Sequence, residues 1–175
     1  MIRSTLLAFL ALCPCAGCAA IATQVNVSRS APALGTYSPS RVRSVFTARL
    51  TSEEKLPSVA PEPRGSVAWG TVRIVVNDDD SFEYLATIYN PRGETFTSAF
   101  LRRGGASEGG EILATLFADV TLRGPYIQLR GTISVSRESS ADALADELRE
   151  HPHGFSVSVH TPASPRAGAI RGSVE

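Results

Sequence analysis

The chain's only histidines, His151, His153 and His160, fall within ten positions of one another. A His-x-His pair followed by a third histidine on an adjoining strand is a pattern that can hold zinc or copper. Neutral imidazole is a good donor to both metals, and three protein ligands leave a coordination position open. Pro152 separates the first two, and the spacing fixes no carboxylate partner. The plainer reading, a polar turn followed by a strand histidine bonded to a neighbour, is preferred, and no metal or other cofactor is expected. Asn77-Asp-Asp-Asp80 offers oxygens of the kind calcium uses, but it lacks the glycine and terminal glutamate of an EF-hand loop. A hairpin turn explains it more simply, because Asn and Asp bond their own backbone and tolerate left-handed conformations. Arg102-Arg103, followed by Gly104-Gly105, is a candidate contact for an anionic partner such as a sugar acid or phosphate. The ordinary alternative is a solvated strand end. Trp69, Tyr84, Tyr89 and Tyr126 could stack sugars, or fill a core and its rim.

Catalytic templates fare worse. No Gly-x-Ser-x-Gly elbow occurs, and Lys55, the sole lysine, lies in no phosphate loop. A Ser-His-Asp set built on His160 is a matter of geometry that the spacing does not favour. The chain therefore reads as a non-enzyme.

The elements that must position these residues are mostly strands. From Val45 onward the pattern has period two, and segments 67–76, 82–89, 95–101, 112–122, 126–135, 155–161 and 169–174 repeat it between Pro, Gly, Asn and Asp. About eight short strands with turn signals between them define an antiparallel sandwich or barrel with one buried and one wet face. Phe155, Val157 and Val159 are expected to point inward, and Ser156, Ser158 and His160 outward. One helix interrupts. Ser139 and Asp142 have the form of a capping box, Ala141, Leu144, Ala145 and Leu148 share a face, and Pro152 and Gly154 stop it. This helix is expected to lid one end of the sandwich.

The chain has 175 residues, 17 basic and 17 acidic, and is formally neutral. Neutrality gives no support for a nucleic-acid partner. The total hides an asymmetry, because Arg3, Arg29, Arg41 and Arg43 lie in the first 44 residues, where no acid occurs, and the first acid is Glu53. The rest holds 13 basic and 17 acidic residues, a formal charge of −4. All three cysteines, Cys13, Cys15 and Cys18, also lie at the start. A basic Met1–Arg3, a short apolar run to Leu12 and a small-residue exit have the form of an export signal. That run is too short to span a membrane. The exit, Cys15-Ala-Gly-Cys18, resembles a bacterial lipobox, with Cys18 as the lipidated thiol and Cys15 where Leu is usual. Cys13 or Cys15 could serve instead, and an ordinary secretory signal cut near Ala20 is the alternative. The organisation expected is a signal peptide over 1–17, a tether over 18–44 reaching roughly 28 Å by random-coil scaling, and a β-sandwich domain over 45–175. Cleavage before Cys18 leaves the domain without a disulfide framework or a thiolate nucleophile.

The stretch from Phe46 to Val174 resembles the chordin-type (CHRD) domain. The markers are Phe46-Thr-Ala-Arg-Leu50, Pro57-Ser-Val59, Gly70-Thr71, Asn77-Asp-Asp79, Leu116-Phe117, the helix segment 142–148, Val157-Ser-Val-His-Thr161 and Gly168-Ala-Ile-Arg-Gly172. The resemblance implies an immunoglobulin-like or superoxide-dismutase-like β-sandwich and no established enzymatic activity. The family's Ala-His-Ile-His-Gly strand corresponds to Ser98-Ala-Phe-Leu-Arg-Arg103, without either histidine. Two family glutamates correspond to Lys55 and Ala169. A polar or metal site of the family is therefore expected to be weakened or lost. The function expected is a non-catalytic binding or structural role at the cell envelope. The protein would be lipid-anchored in the membrane, outer-membrane or periplasm-facing, or else secreted, with an envelope protein or polysaccharide as partner. The alternatives are a degenerate metal-binding domain shaped like copper–zinc superoxide dismutase and, after it, an enzyme of unknown class.

Overall fold

A computed structural model describes residues 41–53, 65–137 and 140–175. The signal and lipobox, most of the tether, Lys55 and Ser139 lie outside the described residues. Nine strands run in chain order: β1 Val42–Leu50, β2 Trp69–Asn77, β3 Phe82–Tyr89, β4 Ser98–Arg103, β5 Ile112–Phe117, β6 Tyr126–Thr132, β7 Ser134–Val135, β8 Phe155–His160 and β9 Ile170–Ser173. One helix, α1 Ala141–Glu150, precedes a 3-10 turn at Pro152–Gly154. The strands form two sheets, ordered β1-β2-β3-β6 and β7-β5-β4-β8-β9, with every pairing antiparallel. This is the all-β sandwich with one short helix that the alternation predicts. Among the described residues no helix is long and apolar enough to cross a membrane.

Period two decides what each strand buries. Phe46, Ala48 and Leu50 on β1, Val72, Ile74 and Val76 on β2, and Phe82, Tyr84, Ala86 and Ile88 on β3 line one inner face. Ala99 and Leu101, Val157 and Val159, and Ile170 line the other. Tyr84 is thus a core residue, and its ring lies 6.4 Å from that of Phe117 across the sandwich.

The two sheets are joined on both sides. On one side β1 is tied to the C-terminal strand by Thr47–Glu175 and Thr51–Arg171, each pair exchanging two backbone hydrogen bonds. On the other, the segment expected as one strand over 126–135 breaks at buried Ile133, whose N–H bonds Phe82 O. The chain there leaves the first sheet as β6 and enters the second as β7. The paired bonds on the β1–β9 side use up edge groups that would otherwise template aggregation.

Other boundaries differ from expectation for local reasons. β1 starts at Val42, inside the stretch assigned to the tether, because Arg41 and Asp78 exchange hydrogen bonds and Val42 pairs with Asn77. β5 stops at Phe117 rather than running to Leu122, as Asp119 adopts a left-handed φ of 56°.

The helix is capped by Ser140, whose Oγ accepts from Ala143 N at 3.2 Å. The cap expected at Ser139 is therefore one residue later. A hydrogen bond from Ser140 and the first-turn amides hold the Asp142 carboxyl below its usual range. Leu144, Ala145 and Leu148 enter the core as predicted. On the outside, Arg149 bonds Asp80 at the β2–β3 turn at 3.2 Å, and Arg103 on β4 pairs with Glu147. The helix thus lids the end of the sandwich from one sheet to the other. Ser140→Ala should lower unfolding stability by about 1 kcal/mol, measured as a shift in urea midpoint at unchanged slope.

Candidate functional site

The outward face of the second sheet is where the sequence expectation fails most clearly. Ser156, Ser158 and His160 do point away from the core, but all three are buried, and so is every residue of β8. Water is excluded by two loops. The loop at 104–111 is fastened by Ala106 N to Ser173 Oγ at 3.2 Å, and the loop at 161–169 by Pro165 O against the His160 ring. Over β8 this face is therefore a covered polar layer and not a wet one, while Ser98, Phe100 and Arg102 on β4 stay half-buried.

Two arginines cross in that layer. Register places Arg102 of β4 beside Ser156, and Arg171 of β9 beside Ser158. Yet Arg102 Nε donates to Ser158 Oγ at 3.0 Å, while Arg171 Nη2 reaches Ser156 Oγ at 3.3 Å. Each side chain leans past its own row, so the guanidiniums converge above β8. Both also donate to the covering loop, Arg102 Nη1 to Gly110 O at 2.9 Å and Arg171 Nη2 to Glu108 O at 2.8 Å. Arg171 is fully buried. Neither arginine pairs with a carboxylate among the described residues.

His160 closes the network. Its Nδ1 donates to Pro165 O at 3.2 Å, which leaves Nε2 to accept from the Ser158 hydroxyl at 2.9 Å. Burial, with the Arg102 charge second and Arg171 also opposing, depresses the imidazole to about 4, so it is neutral at pH 7. Above pH 6.5 the histidine is neutral folded or unfolded. Between 6.5 and about 4 the unfolded chain takes up a proton that the folded one refuses, so stability falls with pH. The depression corresponds to roughly 3 kcal/mol, lost across that window. His160→Gln should flatten this part of the stability profile relative to the parent, measured by urea unfolding at stepped pH.

The remaining residues singled out by sequence are placed apart. His151 and His153 are exposed beside the 3-10 turn, at the opposite end of β8 from His160, a strand separation of roughly 17 Å. No group of three metal-ligating side chains forms among the described residues. The Ser158–His160 pair has the hydrogen bond of a nucleophile and base, but the position of a triad's acid is filled by a backbone carbonyl. Asn77–Asp80 is a hairpin turn. Asp79 Oδ1 accepts from Ser81, and Asp80, with φ 55°, faces Arg43 and Arg149. Arg102 and Arg103 part company: Arg103 lies over Phe155 and pairs with Glu147 and Glu111, a structural tie to the helix.

A second surface forms on the outer face of the first sheet. Trp69, Tyr89 and Tyr126 are direct cross-strand neighbours on β2, β3 and β6. Trp69 stacks on Tyr89 at 4.2 Å and 15°, and Tyr126 meets Tyr89 edge-on at 5.2 Å. Rings stacked at the spacing of adjacent strands, about 4.8 Å, stand upright on the sheet. They stay accessible, with Trp69 52% exposed, Tyr89 39% and Tyr126 36%. The next rows on this face are Arg49, Thr71, Thr87 and Gln128, then Thr47, Arg73, Leu85 and Arg130. Glu83 follows in a further row with Val45, Val75 and Thr132. The face thus carries three arginines against one acid on a domain of net negative charge.

Arg171, Ser158 and the three surface arginines were not among the sequence candidates. The signal for all of them was strand parity. Arg171 falls on the same face as Ser158, and Arg73 on the same face as Trp69, once register is known.

The fold and its sites define an antiparallel β-sandwich without an assembled metal cluster among the described residues. The chain belongs to the CHRD domain family, whose model matches residues 46–174. No curated protein and no solved structure matches the chain.

Proposed function

We propose that this protein is an exported, lipid-anchored binding module of the cell envelope, and that the outer face of its first sheet takes an acidic polysaccharide. The carrying observation is the exposed Trp69–Tyr89–Tyr126 row beside Arg49, Arg73 and Arg130. Aromatic side chains that are apolar in body and polar at the tip suit sugar rings. Guanidiniums suit carboxylates by shape and by permanent charge, and Thr71, Thr87 and Gln128 add hydrogen-bonding groups between them. Export and anchoring rest on the Met1–Leu12 signal pattern and the Cys15-Ala-Gly-Cys18 exit, with Cys18 as the acylated residue. Arg29, in the tether, would lie nearest an anionic lipid surface. The role is non-catalytic.

Two measurements test this. The mature protein should bind polygalacturonate more tightly than a neutral glucan, with affinity falling as salt rises; equal or absent binding to both rejects the ligand class. Labelled palmitate should enter the protein and be lost in Cys18→Ala; a parent protein that takes up no label rejects the anchor.

A further inference from the structure

We propose that Arg102 and Arg171, crossed over β8, form a binding site for a small oxyanion of the carboxylate or phosphate type, separate from the outer face of the first sheet. Arg171 is fully buried, and among the described residues its Nε and Nη1 have no hydrogen-bond partner. Its remaining nitrogen is spent on the neutral acceptors Glu108 O and Ser156 Oγ. Arg102 adds a second cation in the same layer, and among the described residues it bonds only the neutral Ser158 Oγ and Gly110 O. Holding the buried Arg171 guanidinium beside the half-buried one of Arg102, with no carboxylate on either among the described residues, is costly unless an opposite charge joins them. The neighbouring His160 cannot supply that charge, being neutral and locked between Pro165 and Ser158. Glu108, the nearest acid in the covering loop, turns its carboxylate to Gly105 N at 3.0 Å and gives the arginine only its carbonyl.

The chemistry selects the ligand. Free N–H donors on permanent cations call for an acceptor-only group with several oxygens, and carboxylates and phosphates meet guanidinium planes with matching geometry. Entry is beneath the loop at 104–111. Among the described residues that loop is held by the two arginines, by Ala106 N on Ser173 Oγ, by Arg103 N on Glu111 O and by Gly104 N on Gly154 O. An incoming anion can replace its neutral carbonyls.

The test uses the full chain at fixed ionic strength, with chloride exchanged for inorganic phosphate in one arm and acetate in the other. Binding to the folded state alone should raise the unfolding midpoint by roughly 10 °C at a hundredfold excess over Kd. The arm that responds names the ligand as phosphate or carboxylate. Arg171→Met should abolish the rise. Because that variant removes a buried side chain, the parent's Arg Nε–H resonances provide an independent readout. Saturable shifts confined to Arg102 and Arg171 support the site. An unchanged midpoint and unmoved Nε–H resonances in both arms overturn it. Loss of polygalacturonate binding in Trp69→Ala with the phosphate or acetate response intact would show the two sites to be distinct.

Discussion

Gly172→Ala should destabilise the fold by about 3–5 kcal/mol, a large share of the roughly 5–15 kcal/mol that holds a domain of this size together. Gly172 lies on β9 where it passes β1, and a Cβ there would sit 1.8 Å from Arg49 O and 2.5 Å from Arg49 C. Both are backbone atoms, so no side-chain rotation relieves the overlap. The strands must separate, and separation breaks the paired bonds of Thr51 with Arg171 and loosens those of Thr47 with Glu175. Each is worth about 1 kcal/mol net, and the apolar contacts of Ala48, Leu50, Ile170 and Val174 beneath them loosen together. Gly105→Ala is the control: nothing lies within 4 Å of its Cβ position, and its cost should stay near zero. Urea midpoints of the two variants make the comparison. Equal midpoints would mean that the two sheets are not held together along β1 and β9 as described.

Trp69→Ala should weaken binding of an acidic polysaccharide by about 30-fold, the effect expected from losing an aromatic anchor worth about 2 kcal/mol. The fold should lose only about 1 kcal/mol, since the indole stacks on Tyr89 but leaves half its surface in water. The two numbers separate recognition from scaffolding. Arg73→Ala lies two positions along the same strand face. It should reduce affinity less and make binding less sensitive to salt, because it removes charge and leaves the stack intact. Isothermal titration with polygalacturonate at two salt concentrations reads both effects. A Trp69→Ala protein that binds as the parent does would place the polysaccharide elsewhere.

Much of the scaffold is legible in the residues themselves. Val72, Ile74 and Val76 alternate with Trp69, Thr71 and Arg73, which suffices to give a strand with one buried face. Leu144, Ala145 and Leu148 give the helix and the side it buries. The break at Ile133 was not legible, because a chain leaving one sheet for another keeps the same alternation. The polar face of β8 misled for a related reason. Ser156, Ser158 and His160 have the spacing of a solvated face, and only the tertiary position of two loops buries them. The Arg102-Arg103 pair looks like one feature in sequence. Strand parity sends its members to opposite sides, so that Arg102 finds its true companion in Arg171, 69 positions further on. Three of the four aromatics singled out for sugar stacking do share a surface, and the fourth, Tyr84, belongs to the core.

The central claim, that the outer face of the first sheet is the recognition surface, has a built-in reporter. Trp69 is the chain's single tryptophan and stands within that face. Titrating the mature protein with polygalacturonate while recording tryptophan emission and acrylamide quenching is the most direct test. The account predicts a saturable blue shift and a drop in quenching as the ligand covers the indole. Saturable binding by titration calorimetry that leaves emission and quenching unchanged would contradict it.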